Sequence, residues 1–410
     1  MFTHHLRAVA LAAVLLPSLA LAAPLTLGQA LELAVERSAA ARSARAGVAS
    51  ASEAARAAGQ LPDPVLRAGV DNLPVTGGDR LSTTRDAMTM KRIGIGQEWV
   101  SAEKRAARQA AAEAMVKRES VRVQAAAAEV RLQTALAYLD AFYAGELLTL
   151  TTLSEHHLHE EFEAAKGRLS SSSGSSQEVL AATSARGIAE DESADVRQQQ
   201  NAARVALERW TGVPSEELSA PPGLFGPTEQ TYVDSNPGVV AARRDVELGR
   251  QEANVASSNR KPNWSWDVSY QQRTGYSDMV SVGVSIPWPI SPAERQDRET
   301  ASKLALVDKA EASLEEETRA AQAEFRALAS DARRLADRIE RYQSGVAIPA
   351  QQRTAAAMAG YRSNQVTLAA LFEARHMEVE VQRKLLALQR DLAKTRAQLA
   401  YKPLSDGGAQ

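Results

Sequence analysis

The chain has 410 residues, with 48 Lys and Arg against 50 Asp and Glu and no cysteine. Near-neutral charge removes the electrostatic case for a nucleic-acid partner. The absence of cysteine excludes disulfides, thiolate metal ligands, thiol catalysis and an N-terminal lipid anchor on cysteine.

The first 22 residues read as a signal peptide. Arg7 supplies the positive charge, an apolar run follows, and Ala20-Leu21-Ala22 offers small residues before a cut near Ala22 or Ala23. No later stretch approaches the roughly 20 apolar residues of a membrane helix. A membrane β-barrel stays open, since each of its strands gives only a weak signal.

Residues 23–212 form a first unit. An Ala-rich helix is expected over 26–60, capped by Thr26 and stopped by Gly59 and Pro62. Strands follow over about 64–72 and 88–99, separated by a polar loop. A very long helix then runs from about Ser101 to Arg168. It breaks at the serine-rich stretch 170–176, and a shorter helix runs to Thr211. Residues 213–235 are a Pro/Gly-rich connector.

Residues 236–402 repeat that order, and 403–410 form a tail. A helix over 237–260 leads to strands over about 263–272 and 279–289. A second long helix spans about 292–360, with a weak point at 344–349. After a turn, a last helix covers about 365–401. Segment 93–105 aligns by eye with 282–295, so the chain reads as a duplication. A helix of about 67 residues is about 100 Å long. Two shorter helices stacked end to end match that length. Apolar residues, together with Thr318 and Thr395, at 314, 318, 321, 325, 328, 332, 335 and 339 keep spacings of four and three, as do 381, 385, 388, 392, 395 and 399. Both are seams for coiled-coil-like packing.

The strands alternate with a period of two. Trp264, Trp266 and Val268 share a face, as do Val282, Val284 and Ile286; Ser, Asp, Gln and Gly take the other. The first set suits lipid and the second water. A soluble two-sided sheet shows the same alternation. Four strands cannot close around a channel, and an open edge in lipid leaves backbone groups unsatisfied. In a membrane, several chains must therefore pool their strands; three give twelve and a wet lumen.

With these features, the sequence resembles the TolC-type outer-membrane factor family over essentially the whole mature chain. "LPDPVLRAGVDNLPV" and "MTMKRIGIGQEW" are similar to the CzcC/CusC-like heavy-metal efflux branch. The resemblance implies a mainly α fold with a homotrimeric twelve-stranded barrel in the outer membrane and a helical tunnel in the periplasm. It also implies a periplasmic adaptor and an inner-membrane transporter, of the RND type in that branch, as partners. Two turns match the family's adaptor-docking tips: Arg168, Ser173, Gly174 and Ser175 in the first, and Tyr361, Arg362, Ser363 and Asn364 in the second. TolC itself has two aspartates, three apart, just after the second turn. Here these positions read Ala370 and Glu373, which leaves Glu373 as the gate candidate.

Other constellations are weaker. On a helix His156 and His159 share a face beside Glu160, and such groups can bind zinc or copper. Two ligands on one turn fall short of the usual four, and a solvated helix face accounts for them. Met88 and Met90 read as strand residues. No triad or phosphate-loop motif is visible, so neither an enzyme nor a cofactor is expected. A periplasmic coiled-coil adaptor or scaffold with a small soluble β domain is the competing reading.

Overall fold

The computed structural model describes residues 24–171 and 174–404. The signal segment, Ser173 of the first turn, and 405–410 of the tail lie outside the described residues.

Where one helix was expected over 26–60, the chain forms α1 (Leu27–Arg37) and α2 (Ala39–Ala58). Ser38 causes the break: its hydroxyl accepts from the Ala41 amide and caps α2 while its own backbone leaves the helix. Strands β1 (Val65–Asp71) and β2 (Met90–Trp99) follow. Then come α3 (Ala102–Ser170), 69 residues long, and α4 (Ser176–Thr211). At 1.5 Å per residue α3 extends about 104 Å. The second half contains α5 (Glu229–Asp234), α6 (Pro237–Ser258), β3 (Trp264–Arg273) and β4 (Met279–Ser285). It ends with α7 (Gln296–Tyr342), α8 (Ile348–Arg362) and α9 (Leu368–Tyr401). A single π turn, Gln343–Ala347, joins α7 to α8. It falls at the weak point expected from the sequence, ending two residues before Pro349, whose missing N–H an α ladder cannot accommodate.

Each long helix is flanked by two shorter ones. α2 and α4 pack on α3, α6 and α9 pack on α7, and α3 touches α6 and α9, so the two halves are interlocked. The α9 seam is buried at Val381, Leu385, Leu388 and Leu399. Along α7 only Ala321 of the expected stripe is buried; Leu314, Phe325, Leu328, Leu335 and Ile339 are half-buried. One flank of that stripe is uncovered in a single chain.

The core midway along the helices gathers Leu27, Leu31, Tyr138, Leu139 and Leu207. Leu25 and Leu218 pair in a parallel bridge beside it. The fully buried Tyr138 hydroxyl lies 2.7 Å from both the Leu25 and Ser219 carbonyl oxygens, either of which can accept its proton. Burial pushes this phenol up to about 12. Tyr138 thus fastens the start of the helical region to the connector.

The four strands form one antiparallel sheet in the order β1-β2-β3-β4. The two repeats meet at its centre, where β2 and β3 pair over their full length from Met90 with Arg273 to Trp99 with Trp264.

Candidate functional site

The register puts Leu66, Ile95, Val268 and Val282 in one row and Ala68, Ile93, Tyr270 and Val280 in the next. Trp266 pairs with Val284 on the same face. This apolar face is the uncovered one: Leu66 is 71 % exposed, Val282 72 % and Val284 63 %. The opposite face is mainly polar and is shielded along the two central strands, while its edge residues Val65, Arg67, Ser281 and Ser285 are exposed. Ser269 and Gln271 are only 7 % and 8 % exposed. Gln271 donates to Ser269 at 3.1 Å and accepts from Ser281 at 3.0 Å. Arg92 pairs with Asp71 at 3.3 Å. A water-soluble sheet distributes burial the other way round.

Glycine shows which face is concave. A Cβ on Gly94 would stand 2.7 Å from the Cβ of its partner Ser269. Facing Cβ atoms in a flat pair lie about 4.5–5.5 Å apart. The sheet therefore curls toward its Gly/Ser/Asp face, and the branched and aromatic side chains stand on the convex side. Strands of seven and ten residues span about 24 and 34 Å. Trp99 and Trp264 pair at the helical end, with ring centres 6.0 Å apart. Tyr270 lies toward the loop end and hydrogen-bonds Asp278. The strand expected over 279–289 stops at Ser285, because Pro287 and Pro289 offer no N–H to a ladder. Ile286 is therefore not a strand residue. It is exposed just beyond β4, as is Trp288.

At the far end of α3 the two sequence-matched turns come together. The Arg168 guanidinium lies 4.5 Å from the Tyr361 ring centre and 3.2 Å from the Glu178 carboxylate. The Arg168 carbonyl accepts from the Gly174 amide, and Ser175 caps α4 through the Glu178 amide. In the second turn Asn364 adopts the left-handed conformation, φ 57°. Arg362 and Ser363 are exposed, with the Ser363 hydroxyl turned back to the Ala359 and Gly360 carbonyls. Thr367 then caps α9 through the Ala370 amide. Beneath the turns Ala165, Ala182, Leu368 and Leu371 form a separate small core.

Glu373 is exposed and pairs with Arg353 of α8 at 3.2 Å. His156 and His157, rather than His159, face Glu160, at 3.4 and 3.6 Å. Among the described residues no group of three His, Cys, Asp or Glu is placed to hold a metal ion. Met90 opens β2, whereas Met88 is exposed in the preceding loop.

Two polar links escape sequence reasoning. Glu161 of α3 and Arg375 of α9 form a buried ion pair at 2.6 Å, between hairpins 214 residues apart. Lys104, 4 % exposed, donates to the Lys261 carbonyl and the Asn263 side chain, both at 2.9 Å. Burial and then Arg108 lower its pKa, while Glu98 opposes them. Local patterning carries no sign of either link, because each joins segments distant in sequence.

No helix among the described residues is long and apolar enough to cross a membrane. No protein-family model matches the sequence, and no curated protein aligns with it significantly. Solved structures do match. The outer membrane protein VceC of Vibrio cholerae is 18 % identical, with 91 % of this chain and 94 % of that one covered and a TM-score of 0.73. The open-state outer membrane channel MtrE of Neisseria gonorrhoeae is 17 % identical, with 92 % and 88 % covered and a TM-score of 0.74. CusC, whose structures concern folding and transmembrane channel formation, is 15 % identical, with 91 % and 92 % covered and a TM-score of 0.73. The likeness does not single out CusC, and it extends over sheet and helices alike: this chain has the fold of these outer membrane proteins.

Proposed function

We propose that three copies of the chain form a passive exit duct, with a twelve-stranded barrel in the outer membrane and a helical tunnel in the periplasm. The observation that carries this is the reversed sheet, apolar on its open convex face and mainly polar on a concave face whose central strands are shielded. A soluble β domain on a scaffold protein would hide its apolar face, so the adaptor reading loses its footing. The free edges β1 and β4 run in opposite directions and can continue the antiparallel order from one copy to the next. The half-covered α7 stripe supports the same assembly.

The paired turns at the periplasmic end are the adaptor's docking surface, and the tunnel opens and closes there. Glu373 and its partner Arg353 stand close to that end. The sequence has no nucleotide-binding motif, so the driving energy comes from an inner-membrane transporter, of the RND type. Heavy-metal cations are the proposed cargo, on the strength of the resemblance of segments 61–75 and 88–99.

The test is direct. The protein is extracted from outer membranes in detergent, its mass is measured by light scattering, and its conductance is recorded in planar bilayers. Trimers with ion conductance are expected. A detergent-independent monomer with ordered strands would refute the duct. Cargo is tested separately: a strain lacking the protein should lose tolerance to metal cations and regain it on complementation.

A further inference from the structure

The concave face of β1, an edge strand, carries two charges, Arg67 and Asp71. Asp71 is engaged by Arg92. Arg67 is exposed and, among the described residues, has no ion-pair partner. The other edge, β4, presents Met279, Ser281, Gly283 and Ser285 to the same face and has no charge of its own.

The nearest charge is Asp267 of β3, which sits opposite Gly283 on one side and Gly96 on the other. Its carboxylate leans toward the free edge. A Cβ on Gly283 would lie 2.6 Å from Asp267 Oδ1. At Gly96 the nearest Asp267 atom is its Cβ, at 3.5 Å, and neither carboxylate oxygen comes as near. Asp267 thus turns away from Arg67 of its own chain and reaches over a glycine toward the strand that would pair with β4. It too has no ion-pair partner among the described residues.

The edge strands are equally long, at seven residues each. Full antiparallel overlap sets Val65 of one copy opposite Ser285 of another, and so Arg67 opposite Gly283. Barrel closure adds stagger. A two-residue stagger keeps the faces and leaves Arg67 diagonal to Gly283, about 7–8 Å away, within reach of a long side chain.

We infer that Asp267 of one copy pairs with Arg67 of the next across Gly283, once at each seam of the barrel. This rests on the trimeric duct reading. The pair lies in the lumen wall, helps set the register in which copies join, and removes one cation and one anion per chain from the pore lining.

The experiment compares the full chain with Arg67→Glu, with Asp267→Lys and with the double reversal, following thermal dissociation of the purified trimer in detergent. Each single reversal should lower the dissociation temperature by several degrees, and the double reversal should recover most of the loss. Co-expression of the two singly reversed chains distinguishes the seam from a contact within one chain. Mixed trimers regain two correct pairs of three and should outlast either parent. Failure of mixing to rescue, or equal stability of all variants, would overturn the pairing. Should a reversal fail to assemble, Arg67→Gln and Asp267→Asn give the same comparison through their non-additivity. A wild-type protein that is monomeric in detergent defeats the duct itself, and so fails distinguishably.

Discussion

Arg375→Met tests whether the two tip hairpins are held by a buried charge. Arg375 and Glu161 are 18 % and 9 % exposed; the guanidinium bonds Glu161 Oε1, and the buried Oε2 has no hydrogen-bond partner among the described residues. Removing one member of such a pair costs about 3–5 kcal/mol, mostly because the remaining charge is stranded. At 1.36 kcal/mol per tenfold, local opening should become roughly 10²–10⁴ times more frequent. Hydrogen–deuterium exchange of the amides in 157–165 and 371–379 reads this directly. pH supplies a second axis. Burial holds the Glu161 carboxyl above the ordinary carboxylate range; Arg375 and His157 oppose this, and Glu160 adds to it. A raised value means that the folded tip prefers the protonated acid, so this group's contribution is full below the ordinary carboxylate value and declines as pH rises through the raised one. Without Arg375 the rise is larger, and the faster exchange should be marked near about pH 8 and muted near about pH 5. Adding Glu161→Leu should restore most of the protection, because an apolar pair suits this site. Unchanged exchange at neutral pH, or the same change at both pH values, would refute the reasoning.

Val284→Arg should cost about 2–4 kcal/mol in folding into lipid, and Ser285→Arg much less, as read by denaturant-dependent folding into vesicles; equal costs would contradict the face assignment. Glu373→Gln frees Arg353 from its 3.2 Å partner and should lower the cation-to-anion permeability ratio in single-channel recordings without altering trimer mass; an unaltered ratio removes Glu373 from the gate. Tyr138→Phe removes the hydroxyl donor shared by the two carbonyls; Leu25 keeps the Ser219 amide, the half-buried Ser219 carbonyl is left without its donor, and the helical region should lose about 1–3 kcal/mol in thermal unfolding.

The elements most legible in the sequence were those with strong local periods. Alternation at 264–271 and 281–286 placed the strands and separated their faces, because a period of two needs no tertiary knowledge. Which face is open and which is shielded appeared only with curvature, through the close approach of Gly94 to Ser269. The break at Ser38 was hidden by an Ala-rich stretch that favours helix on both sides. Strand ends were misread at Ile286, where apolar alternation continues past the point at which prolines end the ladder. The turns at Gly174 and Asn364 were marked by their residue types. What joins them, Arg168 against Tyr361 and Glu161 with Arg375, links positions about 200 residues apart. No pattern within one segment encodes such a contact.

The π turn at Gln343–Ala347 has a consequence for the phase of the helix that contains it. Up to Tyr342 the packed positions recur every three or four residues: 328, 332, 335, 339, 342. The next packed position is Ala347, five residues on, followed by Ala350 and Thr354 at the usual steps. Val346, where an unbroken α-helix would have placed the seam, is exposed. One surplus residue would turn everything below it by about 100°. The wider turn absorbs that residue, so Ala347 meets Val381 and Leu385 while α8 stays aligned with α9. The angular setting of the second tip is therefore carried by a single-residue surplus at the opposite end of α8, a helix of 15 residues. Deleting Gly345 would convert the turn to plain α-helix and keep the stripe in step, whereas deleting a residue anywhere else in the stripe would throw the tip out of phase.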